Sequence, residues 1–124
     1  MPTILIVDDE PHIRMLLEQT LEDLEDERVE IITADNGEDA LSLIVENSPR
    51  LVFLDIMLPK MDGFEVCNKV KNELKMKDVY IVMLTAKGQE FDIEKGKCVG
   101  ADLYMTKPFD PDAIVAKARK VLGL

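Results

Sequence analysis

Tryptophan is missing from the 124 residues, histidine occurs once, cysteine twice, and aromatic residues make up only 5%. A single histidine, His12, argues against His-rich metal clusters and Ser-His or Cys-His nucleophile pairs. Lying in an acidic, polar stretch, it reads as a solvated side chain. Cys67 and Cys98 are too few and too far apart for a disulfide framework or a zinc site. They read as free, partly buried thiols in a reducing compartment. No apolar run approaches the roughly 18 residues that a membrane helix needs. The opening Met1-Pro2-Thr3-Ile4 has neither the basic patch nor the apolar stretch of a secretion signal, so a cytoplasmic location is expected. Positive charge is scarce: 15 basic residues face 25 acidic ones, a formal net charge of −10. Such a surface repels phosphate backbones and anionic lipid, so neither nucleic acid nor a membrane is an expected partner. Glycine-rich phosphate loops are lacking too. No G-x-G-x-x-G follows the first apolar run and no G-x-x-x-x-G-K-[ST] occurs.

What remains is 47% hydrophobic and 32% charged, the balance of a globular chain, and its length suits one domain over residues 1–124. Short apolar runs alternate with helical stripes. Ile4 to Val7, Val29 to Ala34, Leu51 to Leu54, Val79 to Leu84 and Ala101 to Thr106 read as strands. Between them, Pro11 opens a helix with Ile13, Leu16, Leu17, Thr20, Leu21 and Leu24 on one face, and Asn36 caps a helix carrying Ala40, Leu41, Ile44 and Val45. Asp62 caps a third through Phe64, Cys67, Val70 and Leu74. A fourth, Gln89 to Val99, is poorly patterned, and Asp110-Pro111 start a fifth with Ile114, Val115, Ala118, Val121 and Leu122. Five strands alternating with five helices imply an α/β, doubly wound parallel sheet with helices on both faces. Ligands of such sheets bind beyond the carboxyl ends of the strands.

The chemistry collects at those ends. The first run leads into Asp8 and Asp9, the third into Asp55, the fourth into Thr85 and the fifth into Lys107. Any one of these is an ordinary strand-end residue; their joint placement is harder to obtain by chance. Two unit charges about 4 Å apart repel by about 4 kcal/mol at an effective dielectric of about 20, so three convergent carboxylates call for compensation. A divalent cation supplies it, and an all-oxygen donor set favours Mg²⁺. With Lys107 added, the charges sum to zero and the site is prepared for an incoming anion. Asp55, on the central strand between the Asp8/Asp9 pair and Lys107, is the best candidate nucleophile toward phosphorus. Thr85 could add a hydrogen bond.

In these residues the sequence resembles the response regulator receiver domains of two-component signalling. The matching segments are Ile4-Leu5-Ile6-Val7-Asp8-Asp9-Glu10, Leu54-Asp55-Ile56-Met57-Leu58-Pro59, Met61-Asp62-Gly63, Leu84-Thr85-Ala86 and Lys107-Pro108-Phe109. The resemblance implies a flavodoxin-like sheet of order 2-1-3-4-5. It makes Asp55 the phosphoacceptor and puts Mg²⁺ on Asp8, Asp9, Asp55 and the backbone carbonyl of Met57. It further implies that Thr85 and Lys107 stabilise the phosphoryl group, that Tyr104 is an aromatic switch, and that the Lys107–Pro108 peptide is cis. Met57 and Lys87 fall where the family tunes the lifetime of the phosphorylated form. The implied donor is a sensor histidine kinase. Output is expected through a downstream effector or a covalently attached domain, by way of the fourth helix, fifth strand and fifth helix, and a homodimer could form through the last two helices. The chain is then a switch, not an enzyme beyond its own phosphoryl transfer and slow autodephosphorylation. A phosphohydrolase using an aspartate nucleophile is the rival enzyme, but it needs a second Asp two residues on, where this chain has Met57. A pseudo-receiver with a dead site is the other rival, disfavoured because every acidic, hydroxyl and lysine position is filled.

Overall fold

Runs of β-branched and aliphatic residues with no polar face can form a strand only if both faces are covered. In the computed structural model, which describes residues 2–86 and 100–124, this is where they lie. Strands β1 (Thr3–Val7) and β3 (Leu51–Asp55) are buried along their whole length. With β2 (Glu30–Ala34), β4 (Tyr80–Ala86) and β5 (Leu103–Lys107) they form one parallel sheet of order β2-β1-β3-β4-β5.

Successive strand residues point to opposite faces and feed two separate cores. On one face Leu5, Val7, Val52, Leu54, Ile81 and Met83 meet Ala40, Ile44, Phe64, Cys67 and Val70. On the other, Ile4, Ile6, Leu51, Phe53, Val82 and Leu84 meet Leu17, Leu21, Leu24, Ile114, Ala118 and Leu122. Helices α3 (Gly37–Asn47) and α4 (Gly63–Asn68) thus cover one side, and α1 (Pro11–Thr20), α2 (Glu22–Glu25) and α5 (Pro111–Leu122) the other. The expected doubly wound, flavodoxin-like architecture is the observed one. No helix among the described residues is long and apolar enough to cross a membrane.

The expected caps form. Asn36 accepts a hydrogen bond from the Asp39 N–H, Asp62 from Glu65 and Asp110 from Asp112, each satisfying a donor at the helix start. Four elements depart from the sequence reading, β4 among them, since it runs over Tyr80–Ala86 rather than Val79 to Leu84 and so contains Thr85. The helix expected from Pro11 through Leu24 breaks at Leu21 (φ −98, ψ 3). There the Thr20 hydroxyl takes up the Leu16 carbonyl, and α1 and α2 keep Leu17, Leu21 and Leu24 buried on either side of the break. The third helix does not stay α-helical to Leu74. It widens into a π turn at Lys69–Glu73, closed by the Leu74 N–H donating to the Lys69 carbonyl, and Leu74 ends 48% exposed. That turn presents Lys71 to the Val79 carbonyl and, at 2.8 Å, to Asp102, contacts that only the tertiary fold provides. Last, β5 runs from Leu103 to Lys107 rather than from Ala101 to Thr106. Asp102 is occupied as a strand opener, its carboxylate accepting from the Ile81 N–H while its own N–H donates to the Ile81 carbonyl. The fourth expected helix (Gln89 to Val99), Lys87 and Cys98 lie outside the described residues.

Candidate functional site

Asp8 is the first residue past β1, and the chain turns on it. Its Oδ1 accepts from the Glu10 N–H at 2.9 Å, and its carbonyl accepts from the Arg14 guanidinium at 2.7 Å. Asp55 closes β3 and Lys107 closes β5, with β4 between them. The Lys107 ammonium reaches across to donate to Asp8 Oδ2 at 2.7 Å and lies 3.3 Å from Asp55 Oδ1. Residues from the two ends of the chain thereby meet on a central strand. The Lys107–Pro108 peptide bond is cis.

Both carboxylates are out of solvent, Asp8 fully and Asp55 at 7% exposure. Burial costs a carboxylate its hydration, and the nearby charge of Asp8, with a smaller contribution from Asp9, adds to the penalty. Lys107 opposes this only in part, so the Asp55 carboxyl is pushed up to about 6. Burial works against the Lys107 ammonium too, but its hydrogen bond to Asp8 and the charges of Asp55 and Asp8 outweigh it and hold its pKa above the ordinary lysine value. The site carries surplus negative charge that one lysine does not neutralise.

The carboxylates of Asp8, Asp9 and Glu10 lie within 4.8 Å of one another, Asp8 buried and the other two exposed. The donor set is hard oxygen only, with water-facing members, and suits a divalent cation such as Mg²⁺ that keeps part of its hydration. Among the described residues the group brought together is Asp8, Asp9 and Glu10, not the Asp8, Asp9 and Asp55 that the resemblance implies, so Glu10 is the member that sequence reasoning leaves out. Its signal was the unbroken acidic triplet, which the Asp8 turn folds back on itself. Among the other candidates, Thr85 is fully buried and its hydroxyl sits 3.5 Å from the Met105 carbonyl, a long contact. Tyr104 packs against the core beneath β4, beside Met83 in the strand register. Met57 is 66% exposed two residues past Asp55. His12 is exposed, 3.3 Å from Glu10. Cys67 is buried among apolar side chains, which pushes its thiol up to about 12 and leaves it inert at neutral pH.

Two glycines hold the loop after Asp55 in place. A Cβ on Gly63 would collide with the backbone of Asp55 and Ile56, and one on Gly37 with the backbone of Met61. The Gly63 N–H donates to the Ile56 carbonyl at 2.8 Å. The Met61-Asp62-Gly63 segment thus has a mechanical reason: the chain returns onto the strand end that carries Asp55.

A family model described as the response regulator receiver domain matches residues 4–119. The chain belongs to the response regulator receiver family. This receiver domain is 45% identical over 119 residues to the alkaline phosphatase synthesis transcriptional regulatory protein PhoP of Bacillus subtilis, covering 96% of this chain and 48% of that protein. It superposes on the chemotaxis response regulator CheY4 of Vibrio cholerae with a TM-score of 0.84 at 31% identity, covering 98% of both chains. The receiver domain of NtrX from Brucella abortus gives 0.82 at 34% identity, over 97% and 98%. The chain spans about half the length of the curated relatives it matches. It is a receiver domain of a response regulator in two-component signalling.

Proposed function

We propose that this single receiver module, residues 1–124, is a phosphorylation-dependent switch that accepts a phosphoryl group on Asp55 from a phosphohistidine of a sensor histidine kinase. The observation that carries the proposal is the Lys107 ammonium bridging Asp8 and Asp55, two buried carboxylates at the carboxyl ends of different strands, beside an acidic cluster with surplus charge. An Asp55 oxygen attacks phosphorus, the P–N bond of the donor breaks, and its electron pair leaves on the histidine nitrogen. No proton needs to move on the acceptor. Lys107 then follows the new charge on the phosphoryl oxygens, and the Thr85 hydroxyl moves to donate to them. Tyr104, whose hydroxyl is already buried, would be held in that inward position as Thr85 moves. Asp8, Asp9 and Asp55, with the Met57 backbone carbonyl, would hold Mg²⁺, whose charge would offset that of the phosphoryl oxygens.

The outcome is a shift between two conformations of the surface formed by the fourth helix, β5 and α5. A downstream effector or a covalently attached output domain reads that surface, and a homodimer through the last two helices is one form of output. PhoP is by its description a transcriptional regulatory protein; here any contact with DNA is assigned to an attached domain, not to this acidic chain. We place the protein in the cytoplasm, as a switch whose only catalysis is its own phosphoryl transfer and slow autodephosphorylation. Incubation with Mg²⁺ and acetyl phosphate, read by intact mass, tests the reading. A single phosphoryl adduct that disappears in Asp55→Asn supports it; an unmodified wild type, or turnover of an external phosphoester, overturns it.

A further inference from the structure

The opposite end of the sheet has the reverse charge. Where β1, β3 and β4 begin, three adjoining hollows share Arg50 in their walls. The two larger ones, about 390 and 500 Å³, are lined by Arg50, Lys75, Lys77, Lys117 and Lys120, with Asp78 the one acid in either lining. None of these five basic side chains forms an ion pair among the described residues, although acids outnumber bases 25 to 15 in the chain. On a chain of net charge −10, five cations gathered on one face make a local positive field that an anionic partner would meet. Arg50 is held in position by donating to the Val121 carbonyl at 3.2 Å, and Lys117 stands 5.8 Å from the centre of the Tyr80 ring.

We propose that this basic groove docks an acidic peptide segment of a partner protein. The shape favours an extended ligand over a compact anion. The hollows run from Pro2 and Thr3 past Arg50 to Lys117, and crossing from β1 to β4 alone spans about 10 Å at the spacing of neighbouring strands. The cations are strung along that path on exposed or half-buried side chains, whereas a small phosphate ligand calls for donors converging on one point. The groove lies at the amino ends of the strands and Asp55 at the carboxyl end of β3, so docking leaves the acceptor accessible. The inference does not rest on the phosphorylation reading.

The test is fluorescence anisotropy of the whole chain with a labelled peptide of alternating Glu and Ala, at low and moderate salt. Lys77→Glu with Lys117→Glu is compared with Arg28→Glu and Lys60→Glu, which change net charge equally but lie outside the groove. The expected result is saturable binding that weakens roughly tenfold or more in the groove variant and is retained in the control. Equal losses in both variants, or no binding to the wild type, overturn the proposal. So does tighter binding of inorganic tripolyphosphate than of the peptide, which makes the groove a phosphate site. A concentration-dependent dimer abolished by the groove variant, with no peptide bound, assigns it to self-association and also overturns the proposal. Melting curves verify folding, and Lys77→Ala carries the same comparison if the double variant does not fold.

Discussion

Asp55 is a strained acid in the physical sense: a charge largely stripped of its hydration and held beside others of the same sign. Its carboxyl is pushed from 3.8 to about 6, so between those values the native state holds a proton that the unfolded chain has lost. Stability therefore falls as pH rises through that window, and the whole penalty is present above it. Asp55→Asn removes the penalty. In EDTA at pH 7.5 the variant is expected to be more stable by about 1–3 kcal/mol, with the gain vanishing below about pH 4. Denaturant melts at the two pH values measure this directly, and a variant less stable than wild type at pH 7.5 would show that Lys107 compensates Asp55 fully. Met57 makes a second residue-scale prediction. Its exposed thioether cannot orient an attacking water as an amide can, so Met57→Asn is expected to shorten the lifetime of the phosphorylated form. An unchanged rate of phosphoryl loss, followed by mass, would refute that role.

At the scale of elements, the loop from Ile56 to Asp62 is positioned by close backbone approach rather than by side chains. Gly63→Ala drives a methyl group into the Asp55 and Ile56 backbone, which cannot yield without moving the acceptor. The expected cost is about 1–3 kcal/mol of stability, together with slower phosphorylation by acetyl phosphate. A melt and an adduct time course on one sample check both, and a stable variant that is phosphorylated at the wild-type rate would refute the account. The same scale shows what could be read from the sequence. Doubly buried strands are legible because an apolar run such as Leu51 to Leu54 has no exposed alternative, and the caps at Asn36, Asp62 and Asp110 are local chemistry. The π turn at Lys69–Glu73 was not legible, because the contacts it makes, Lys71 with Val79 and Asp102, join residues distant from it in sequence. The same holds for β5, whose start is set by the bonds between Asp102 and Ile81. In the site, Asp8, Asp55 and Lys107 could be found from strand ends alone. The addition of Glu10 to the acidic cluster depends on how tightly the chain turns on Asp8, which spacing does not encode.

Across the whole molecule, charge is divided between the two ends of one sheet: crowded carboxylates where the strands finish, unpaired cations where they start. A protein of net charge −10 gains stability from any salt that screens self-repulsion, so a specific metal effect has to be separated from a general one. Adding Mg²⁺ to the metal-free protein is expected to raise the melting temperature beyond what sodium chloride of equal ionic strength does. At ten times its dissociation constant the stabilisation is about 1.4 kcal/mol. Asp9→Asn removes an exposed ligand without opening the core, so it should leave the metal-free melt nearly unchanged while abolishing the Mg²⁺ increment. Protons compete with the cation for Asp55, hence the increment should also shrink as pH falls below about 6. If sodium chloride matched the increment, or if it survived Asp9→Asn at every pH, the acidic cluster would be a region of screened repulsion, and the chemistry assigned to Asp55 would lose its cation.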